Sequence, residues 1–413
     1  MDTALFIARR TLHPAPGERP GVMERIAVVS VALSVAVMIV ALAVVLGFKR
    51  EVGERLSGLS GHVLLTDVRG ADAADPAPVV RSAYVEGLVR DMPGFAALSP
   101  YVVRGGIVRT DEAVETVVLK GVDSAFDWRR FGRWLVAGEL PRVGAEPRTK
   151  DLLLSRTLAR RLRLEVGDRV EMLFVGGDAP RRDRFLVSGL YASGMDEMDA
   201  SLALTDLRNV ARLAGWGPDS VSGYEIFTRD LASADAFAEE LDERLFFDER
   251  DETANLAATS LRALYPNVFD WLRAHDVNAA VIIGVMLLVA FFNMASALLV
   301  LVLERTRTIG LLKALGMTDG ALRRLFLYRA AFVALRGLAW GNAAGLGLCL
   351  VQRWLHPVRL SSEGYMLSEL PVSLEWGWWL ALNAGTLAAI VVLLLLPAQV
   401  ISKVKPDQTI RYE

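Results

Sequence analysis

The stretch Glu304–Phe326, ERTRTIGLLKALGMTDGALRRLF, is a short charged segment between two long apolar runs. Its Ile309, Leu312 and Leu315 recur at helical spacing and predict a short amphipathic helix with one shared apolar face. The arginines around that face would also allow such a helix to rest on lipid headgroups. Physical chemistry alone therefore leaves two options open, a surface helix on the membrane or a docking element for a partner.

The second half of the same stretch predicts a turn followed by another helix. Gly316 is placed to end the first helix, because glycine adopts the left-handed conformation at a helix C-terminus. Thr318 or Asp319 is placed to cap the next helix, which continues into apolar sequence.

The composition indicates a membrane protein that also carries a water-exposed domain. The chain has 413 residues, of which 53% are apolar and 23% charged. Its net charge of -2 argues against a basic surface for nucleic acid. The single cysteine, Cys349, excludes an internal disulfide and is expected to be a buried apolar residue, and no metal-ligand spacing occurs.

Four apolar segments are long enough to cross a bilayer, because a transmembrane helix needs roughly 20 apolar residues. Basic residues cluster before the first segment, in the charged stretch and in the C-terminal tail, which predicts that these three parts lie on the cytoplasmic side of the membrane. The predicted order is a cytoplasmic segment 1–26, span one 27–48, an outer domain 49–276, span two 277–303, cytoplasmic helices 304–324, span three 325–355, an outer loop 356–375, span four 376–402 and a cytoplasmic tail 403–413.

Span three combines charge with small residues. Gly337, Gly341 and Gly345 recur every four residues and predict close packing on a neighbouring helix. Arg336 lies beside them, and no Asp or Glu occurs inside any of the four apolar spans. Arg336 is expected to snorkel, to bond to Asn342, Asn383 or backbone carbonyls, or to meet a lipid phosphate.

The 49–276 segment predicts a mixed α+β domain. β-branched and aromatic runs alternate with turn residues, and DRVEMLFV and DRFLVSGLY read as a hairpin around GGDAPRRD. Ser155 and Ser233 are predicted to cap helices. The acids Asp196, Glu197 and Asp199 read as a solvated turn.

No catalytic motif is visible. The sequence lacks a phosphate-binding GxxxxGK[ST] loop and a GxSxG nucleophile elbow, so the chain is predicted to be a non-catalytic subunit.

The charged stretch resembles the coupling segment of the FtsX-like permeases, a family that includes the lipoprotein-releasing permeases LolC and LolE, the MacB exporters and FtsX. The resemblance covers nearly the whole chain and includes LGFKREVGERLSGLSGHVLL, VVLKGVD, LLLSRTLARRLRLEVGDRV and FLVSGLYASGMDEMDASLALTDL. The ending LPAQVISKVKPDQTIRYE is similar to LolC/LolE-like permeases of Bacteroidetes-type bacteria. The resemblance to this family implies its fold, a four-span α-helical transmembrane domain in the bacterial inner membrane with a large α+β periplasmic domain.

The resemblance also implies partners. A dimer of a separate ABC-type ATPase, which would bind the ATP–Mg, is expected to dock on the segment that contains Glu304, Arg305, Thr306, Ile309, Gly310, Leu312, Lys313, Ala314, Leu315 and Gly316. No cofactor is expected in this chain. A second permease chain, triacylated lipoproteins, membrane lipids and a LolA-like periplasmic carrier complete the implied set.

Span one has no charge and no aromatic ring before Phe48, so its side chains form a smooth apolar wall. This wall and the family resemblance together predict a cleft between spans one and two for acyl chains. The positions expected to face that cleft are Val37, Met38, Ala41 and Val45, with Val35 and Leu42 on the opposite side.

One departure from LolC concerns the long hairpin that grips the carrier, because Phe174–Arg184 is short here. Three explanations of the short hairpin remain open. The hairpin works in a shorter form, the chain is the LolE-like partner of a second permease, or it is a hybrid that pairs with itself. Besides lipoprotein release, two functions remain open: a MacB-like export of periplasmic peptides, toxins or drugs, and FtsX-like signalling, which the large outer domain disfavours.

Overall fold

The computed structural model describes residues 22–70, 76–174, 180–304, 306–358, 367 and 369–393. The chain divides into two units, each described separately below. The helical unit comprises Met1–Arg50, Trp271–Arg359 and Glu369–Glu413, and the sheet unit comprises Glu51–Asp270 and Leu360–Ser368.

The long helices belong wholly or mainly to the helical unit. They are α1 (Val22–Ser60), α9 (Pro266–Glu304), α10 (Thr306–Ala314), α11 (Asp319–Leu355) and α12 (Trp376–Leu393). Within the described residues, three stretches are long and apolar enough to cross a membrane, namely Glu24–Ser60, Pro266–Ser296 and Asp319–Leu355. Trp376–Val392 is a shorter apolar helix, and residues 394–402 of predicted span four lie outside the described residues.

The sheet unit alternates strands with short helices. Its helices are α2 (Ala83–Arg90), α3 (Trp128–Phe131), α4 (Arg156–Leu162), α5 (Asp196–Asp199), α6 (Leu207–Ala214), α7 (Ala234–Phe246) and α8 (Leu261–Leu264). Its strands are β1 (Val63–Asp67), β2 (Val79–Val80), β3 (Phe95–Arg109), β4 (Val114–Val122), β5 (Leu135–Gly138), β6 (Asp151–Ser155), β7 (Arg169–Phe174), β8 (Arg181–Tyr191), β9 (Leu202–Asp206), β10 (Ser220–Val221), β11 (Gly223–Thr228) and β12 (Leu256–Ser260).

Ten of these strands form one mixed sheet in the order β12-β1-β11-β3-β4-β9-β6-β8-β5, with β7 paired to β3 and β8. The pairs β4/β9 and β6/β8 are parallel and the other pairs of this sheet are antiparallel. Leu158 of α4, Val210 of α6 and Leu241 of α7 are fully buried in the core that covers the sheet. The α+β prediction is therefore confirmed.

The predicted helix caps differ in outcome. The Ser155 hydroxyl accepts a hydrogen bond from the Leu158 amide and starts α4 as predicted. Ser233 makes no side-chain cap bond at the start of α7. Instead, a 3-10 turn, Leu231–Ser233, precedes the helix, and Asp230 caps that turn by accepting from the Ser233 amide at 2.8 Å.

A buried ion pair lies inside the sheet unit. Lys120 of β4 donates to the Glu225 carboxylate of β11 and, at 2.6 Å, to the carbonyl of Leu59 in the last turn of α1. Both charged side chains are almost fully buried, and burial raises the pKa of the Glu225 carboxyl. This contact satisfies a carbonyl that a helix C-terminus otherwise leaves unpaired.

In the helical unit, α1 and α11 pack in parallel through the three spaced glycines. A Cβ placed on Gly337 would lie 2.6 Å from Val31, one on Gly341 2.7 Å from Val35, and one on Gly345 3.1 Å from Ile39. Only hydrogen in place of a side chain permits this approach of the two backbones.

Helices α9 and α12 run antiparallel to these two. Asn293 of α9 hydrogen-bonds to Ser30 of α1, and Asp276 of α9 pairs with Lys49 of α1 at 2.6 Å. The later residue of α9 thus meets the earlier residue of α1, as in an antiparallel pair. On α11, Asn342 bonds to Asn383 of α12 at 2.6 Å. Four helices of alternating direction are the arrangement that four consecutive membrane crossings require.

Cys349 of α11 is 2% exposed, as predicted for a small apolar residue.

Candidate functional site

The segment predicted to couple to an ATPase ends in a hydrogen-bonded turn. Helix α10 ends in a motif in which the amide of Met317 donates to the carbonyl of Leu312 and that of Gly316 to Lys313. Gly316 has φ of +91°, and Thr318 caps α11 by accepting from the amide of Ala321. The predicted glycine stop and threonine cap are both present.

The apolar side chains of this segment differ in exposure, so they do not form one continuous buried face. Ile309 is 1% exposed and Leu312 is half-buried, and both pack on the core of the helical unit. Leu315 lies one residue beyond the end of α10 and is 77% exposed, and Leu311 is 60% exposed. The Leu315 amide still donates to the Leu311 carbonyl at 3.0 Å, so Leu315 is exposed because of where the helix ends and not because its spacing is broken.

The other predicted coupling residues have mixed positions. Gly310 is buried, Ala314 is exposed, and Lys313 forms an ion pair with Asp319 at 3.0 Å. Arg305 and the side chains of Glu304 and Thr306 lie outside the described residues.

An apolar groove of about 580 Å³ lies between α1 and α9. Its lining residues are Arg25, Ile26, Val29, Ser30, Leu33, Ser34, Val37, Met286, Val289 and Asn293. The groove occupies the half of α1 nearer to its N-terminus.

The four positions predicted for the acyl-chain cleft differ in their exposure and in whether they line the groove. Val37 lines the groove and is 36% exposed, whereas Met38 is completely buried. Ala41 and Val45 are half-buried and lie outside the groove lining. Met38 follows Val37 by one residue, and consecutive side chains of a helix differ by about 100° in direction. Met38 therefore faces the core of the helical unit and not the groove.

A charged triad lies close to the start of α1. Glu24 Oε2 is 3.5 Å from Arg329 Nη2, and its Oε1 is 3.2 Å from Arg336 Nη1. Arg336 reaches back along α11 because helical side chains tilt toward the N-terminus. Asn342 and Asn383, which were considered as partners of Arg336, bond to each other and to Trp379 instead. Sequence reasoning missed Glu24 because it precedes the apolar run in which partners were sought.

The acids of the sheet unit have a structural role. Asp199 is 2% exposed, so the prediction of a solvated turn is wrong for this residue. Its carboxylate accepts from the hydroxyl and the amide of Ser193 at 2.6 and 3.0 Å, while burial raises its pKa. Within the described ranges, no group of three or more His, Cys, Asp or Glu is arranged to hold a metal ion.

The predicted hairpin is present as β7 and β8, which pair from Arg169 opposite Leu186 to Phe174 opposite Arg181. Residues 175–179 at its tip lie outside the described residues.

Comparison with known families agrees with this architecture. Residues 280–406 match the FtsX-like permease C-terminal family, and residues 26–244, more than half of the chain, match the MacB-like periplasmic core domain. The chain is an FtsX-like permease with a MacB-like periplasmic core domain. It is accordingly a membrane protein, as its apolar helices indicate.

Curated relatives align with almost the full length of the permease. The lipoprotein-releasing system transmembrane protein LolC of Xylella fastidiosa is 24% identical over 94% of this chain and 93% of its own. LolE of Haemophilus influenzae is 23% identical over 99% of both chains. Among solved structures, the periplasmic region of MacB from Actinobacillus actinomycetemcomitans aligns with 50% of this permease and 92% of its own chain, at 11% identity and a TM-score of 0.32.

Proposed function

We propose that this permease is the non-catalytic membrane subunit of an ABC transporter that extracts lipoproteins from the outer leaflet of the bacterial inner membrane. A separate ATPase dimer binds ATP–Mg and drives the extraction, and a LolA-like periplasmic carrier receives the lipoprotein. The observation that supports this most directly is the full-length likeness to relatives named as lipoprotein-releasing proteins.

The need for an energy source follows from the cargo. Each buried CH₂ group contributes about 0.8 kcal/mol to membrane anchoring, so three acyl chains hold a lipoprotein effectively irreversibly. Passive transfer to a water-soluble carrier is therefore too slow, and extraction must be coupled to ATP hydrolysis elsewhere.

The coupling turn offers a docking surface for that ATPase. Leu311 and Leu315 project from a turn whose backbone is fixed by the Gly316 and Thr318 motifs. Exposed leucines on a rigid support bury apolar area on binding without a large cost in ordering. Ile309 and Leu312, by contrast, fasten α10 to the helical unit.

The orientation places both termini in the cytoplasm and the sheet unit in the periplasm. Support comes from the basic residues that flank α1, α10 and the C-terminal tail. The parallel direction of α1 and α11 and the antiparallel direction of α9 and α12 are consistent with this topology.

A second permease chain completes the acyl-chain cleft. One face of α9 is exposed along its middle part, at Val277, Val281, Val285, Leu288 and Phe292. A large apolar surface of this kind in a bilayer contacts either lipid or another helix. With α9 of one chain beside α1 of another, Val37, Ala41 and Val45 would form the outer-leaflet part of the wall. The β7–β8 hairpin is the part of the sheet unit proposed to meet the carrier.

A MacB-like exporter of peptides, toxins or drugs is the alternative. It is favoured by one observation, the match of residues 26–244 to the MacB-like periplasmic core domain.

The docking assignment is tested with a pair of aspartate variants. Leu315→Asp should abolish co-purification of the ATPase without changing the melting temperature of the permease, because Leu315 makes no core contact. Leu312→Asp should instead lower the melting temperature, because it places a charge in the packed core. Full retention of the ATPase by Leu315→Asp would show that docking occurs elsewhere.

The cargo is tested by photo-crosslinking from single positions of α1. Probes at Val37, Ala41 and Val45 should capture acylated lipoprotein, and the signal should fall when ATP and a carrier are supplied. Probes at the buried Val35 and Met38 serve as controls and should capture little. Capture of soluble peptides or small amphiphiles, but never of lipoprotein, would establish the MacB-like alternative.

A further inference from the structure

The groove between α1 and α9 requires an apolar occupant. Its walls are side chains such as Ile26, Val29 and Leu33, which are 53 to 65% exposed. The polar groups along it are already satisfied in part, because Asn293 donates to the Ser30 hydroxyl. A concave surface of this composition favours hydrocarbon over water.

The length and position of the groove fit one leaflet. From Ile26 to Val37 the helix rises about 16 Å, about half of the roughly 30 Å of hydrocarbon in a bilayer. The groove lies in the leaflet at the N-terminal end of α1. The proposed lipoprotein cargo resides in the opposite leaflet.

The end of the groove carries surplus positive charge. Arg25 lines the groove, and the preceding residue, Glu24, holds both Arg329 and Arg336. Within the described part of the chain, no carboxylate lines the groove beside Arg25. A site of this charge attracts an anion at the membrane surface.

The geometry points to a phospholipid-binding site in this groove: one acyl chain lies along Ile26–Val37, and the phosphate binds Arg25 next to the Glu24–Arg329–Arg336 triad. The phospholipid comes from the leaflet at the N-terminal end of α1, which the proposed orientation makes the cytoplasmic leaflet. A lipoprotein anchor fits less well, because its lipid part carries no phosphate. The site meets the proposed cargo cleft only at Val37 and does not depend on which cargo the permease moves.

Phospholipid retention tests the site directly. The purified permease complex, without ATP or lipoprotein, is washed in detergent, and the phospholipid per chain is measured by mass spectrometry. Arg25→Gln should lower retention about fivefold, as expected for loss of one basic contact to a headgroup. Leu33→Trp should lower it as well, because the indole fills the groove. Arg353→Gln and Leu348→Trp, at exposed positions of α11 outside the groove lining, are the matched controls.

A pair of lipid probes identifies the group that is recognised. Photoactivatable phosphatidylglycerol should label α1 within Ile26–Val37, and diacylglycerol with the same chains should label it several-fold less. Equal labelling by both probes, or equal loss of lipid in Arg25→Gln and Arg353→Gln, would overturn the phosphate assignment. Disulfide capture of a second permease chain at Leu33→Cys, with no lipid retained, would show that the groove is a protein interface. None of these outcomes alters the lipoprotein crosslinks at Ala41 and Val45, so the two proposals fail independently.

Discussion

Glu24 pairs with two arginines at once, and without it both would be unpaired cations at the edge of an apolar bundle. Arg329 has only 15% of its side chain exposed, so it depends on Glu24 more than the half-exposed Arg336 does. A partly buried charge that loses its partner keeps its desolvation cost without compensation.

The variant Glu24→Gln should therefore destabilise the helical unit, by on the order of 3 kcal/mol. Arg336→Gln should cost about 1 kcal/mol or less, because its guanidinium can reach water. Thermal unfolding of the two variants in detergent measures the difference. Equal shifts would contradict the greater dependence of Arg329 on Glu24.

His62 gives the sheet unit a defined pH dependence. Its pKa is lowered to about 4, first because burial disfavours the imidazolium and second because Arg130 lies nearby. The unfolded chain, with a histidine pKa of 6.5, takes up the proton first as the pH falls. The free energy of unfolding should hence decrease from pH 6.5 down to about 4, and His62 should add no further slope below that. Denaturant titrations at several pH values should show this slope in the native sequence and a smaller one in His62→Gln.

Helices α1 and α11 are the elements whose packing tolerates the least change. The added side chain in Gly341→Leu would clash with Val35 and with the carbonyl of Ala32, so overpacking should cost about 1–3 kcal/mol or separate the helices. Gly347→Leu is the control on the same helix, because a Cβ there meets nothing within 4 Å. Both variants are compared by melting temperature and by yield of assembled complex. A stable, active Gly341→Leu permease would contradict the packing described.

The turn between α10 and α11 provides a second contrast between glycines. Gly316→Ala should cost about 1 kcal/mol, because the left-handed backbone of Gly316 disfavours a Cβ. Gly320→Ala, in the first turn of α11, should stabilise slightly because alanine favours helix. ATPase co-purification and melting temperature are the measurements, and identical behaviour of the two variants would argue that the turn is not constrained.

Elements governed by local rules were predictable from the sequence. The Ser155 cap, the Gly316 stop and the β7–β8 hairpin depend on residues a few positions apart, and all are present. Features that depend on tertiary packing were not. The burial of Met38 depends on which sides of α1 meet the other helices, and the exposure of Leu315 depends on how far α10 extends past the core on which Ile309 packs.

At the scale of the whole molecule, the sheet unit includes the C-terminal turns of α1. Val52, Leu56 and Leu59 are buried, and the Leu59 carbonyl accepts from Lys120. A fragment of residues 51–270 should therefore fold as a soluble domain. A fragment of residues 61–270 should be less stable, because it loses this apolar area and leaves the Lys120 ammonium short of an acceptor. Circular dichroism melts of both fragments provide the comparison, and equal melting temperatures would show that α1 contributes nothing to the domain.

The hydrogen-bonded turn at Met317 and Thr318 has a thermodynamic consequence. Because the amides of Gly316 and Met317 bond back to α10 and Thr318 caps α11, the turn would pass a displacement of α10 on to α11. Linkage between two binding events is reciprocal, so whatever factor nucleotide imposes on cargo affinity, cargo imposes on nucleotide affinity. If an ATPase docks on Leu311 and Leu315, cargo binding to the permease would thus change the nucleotide affinity of the ATPase by the same factor by which nucleotide changes cargo affinity.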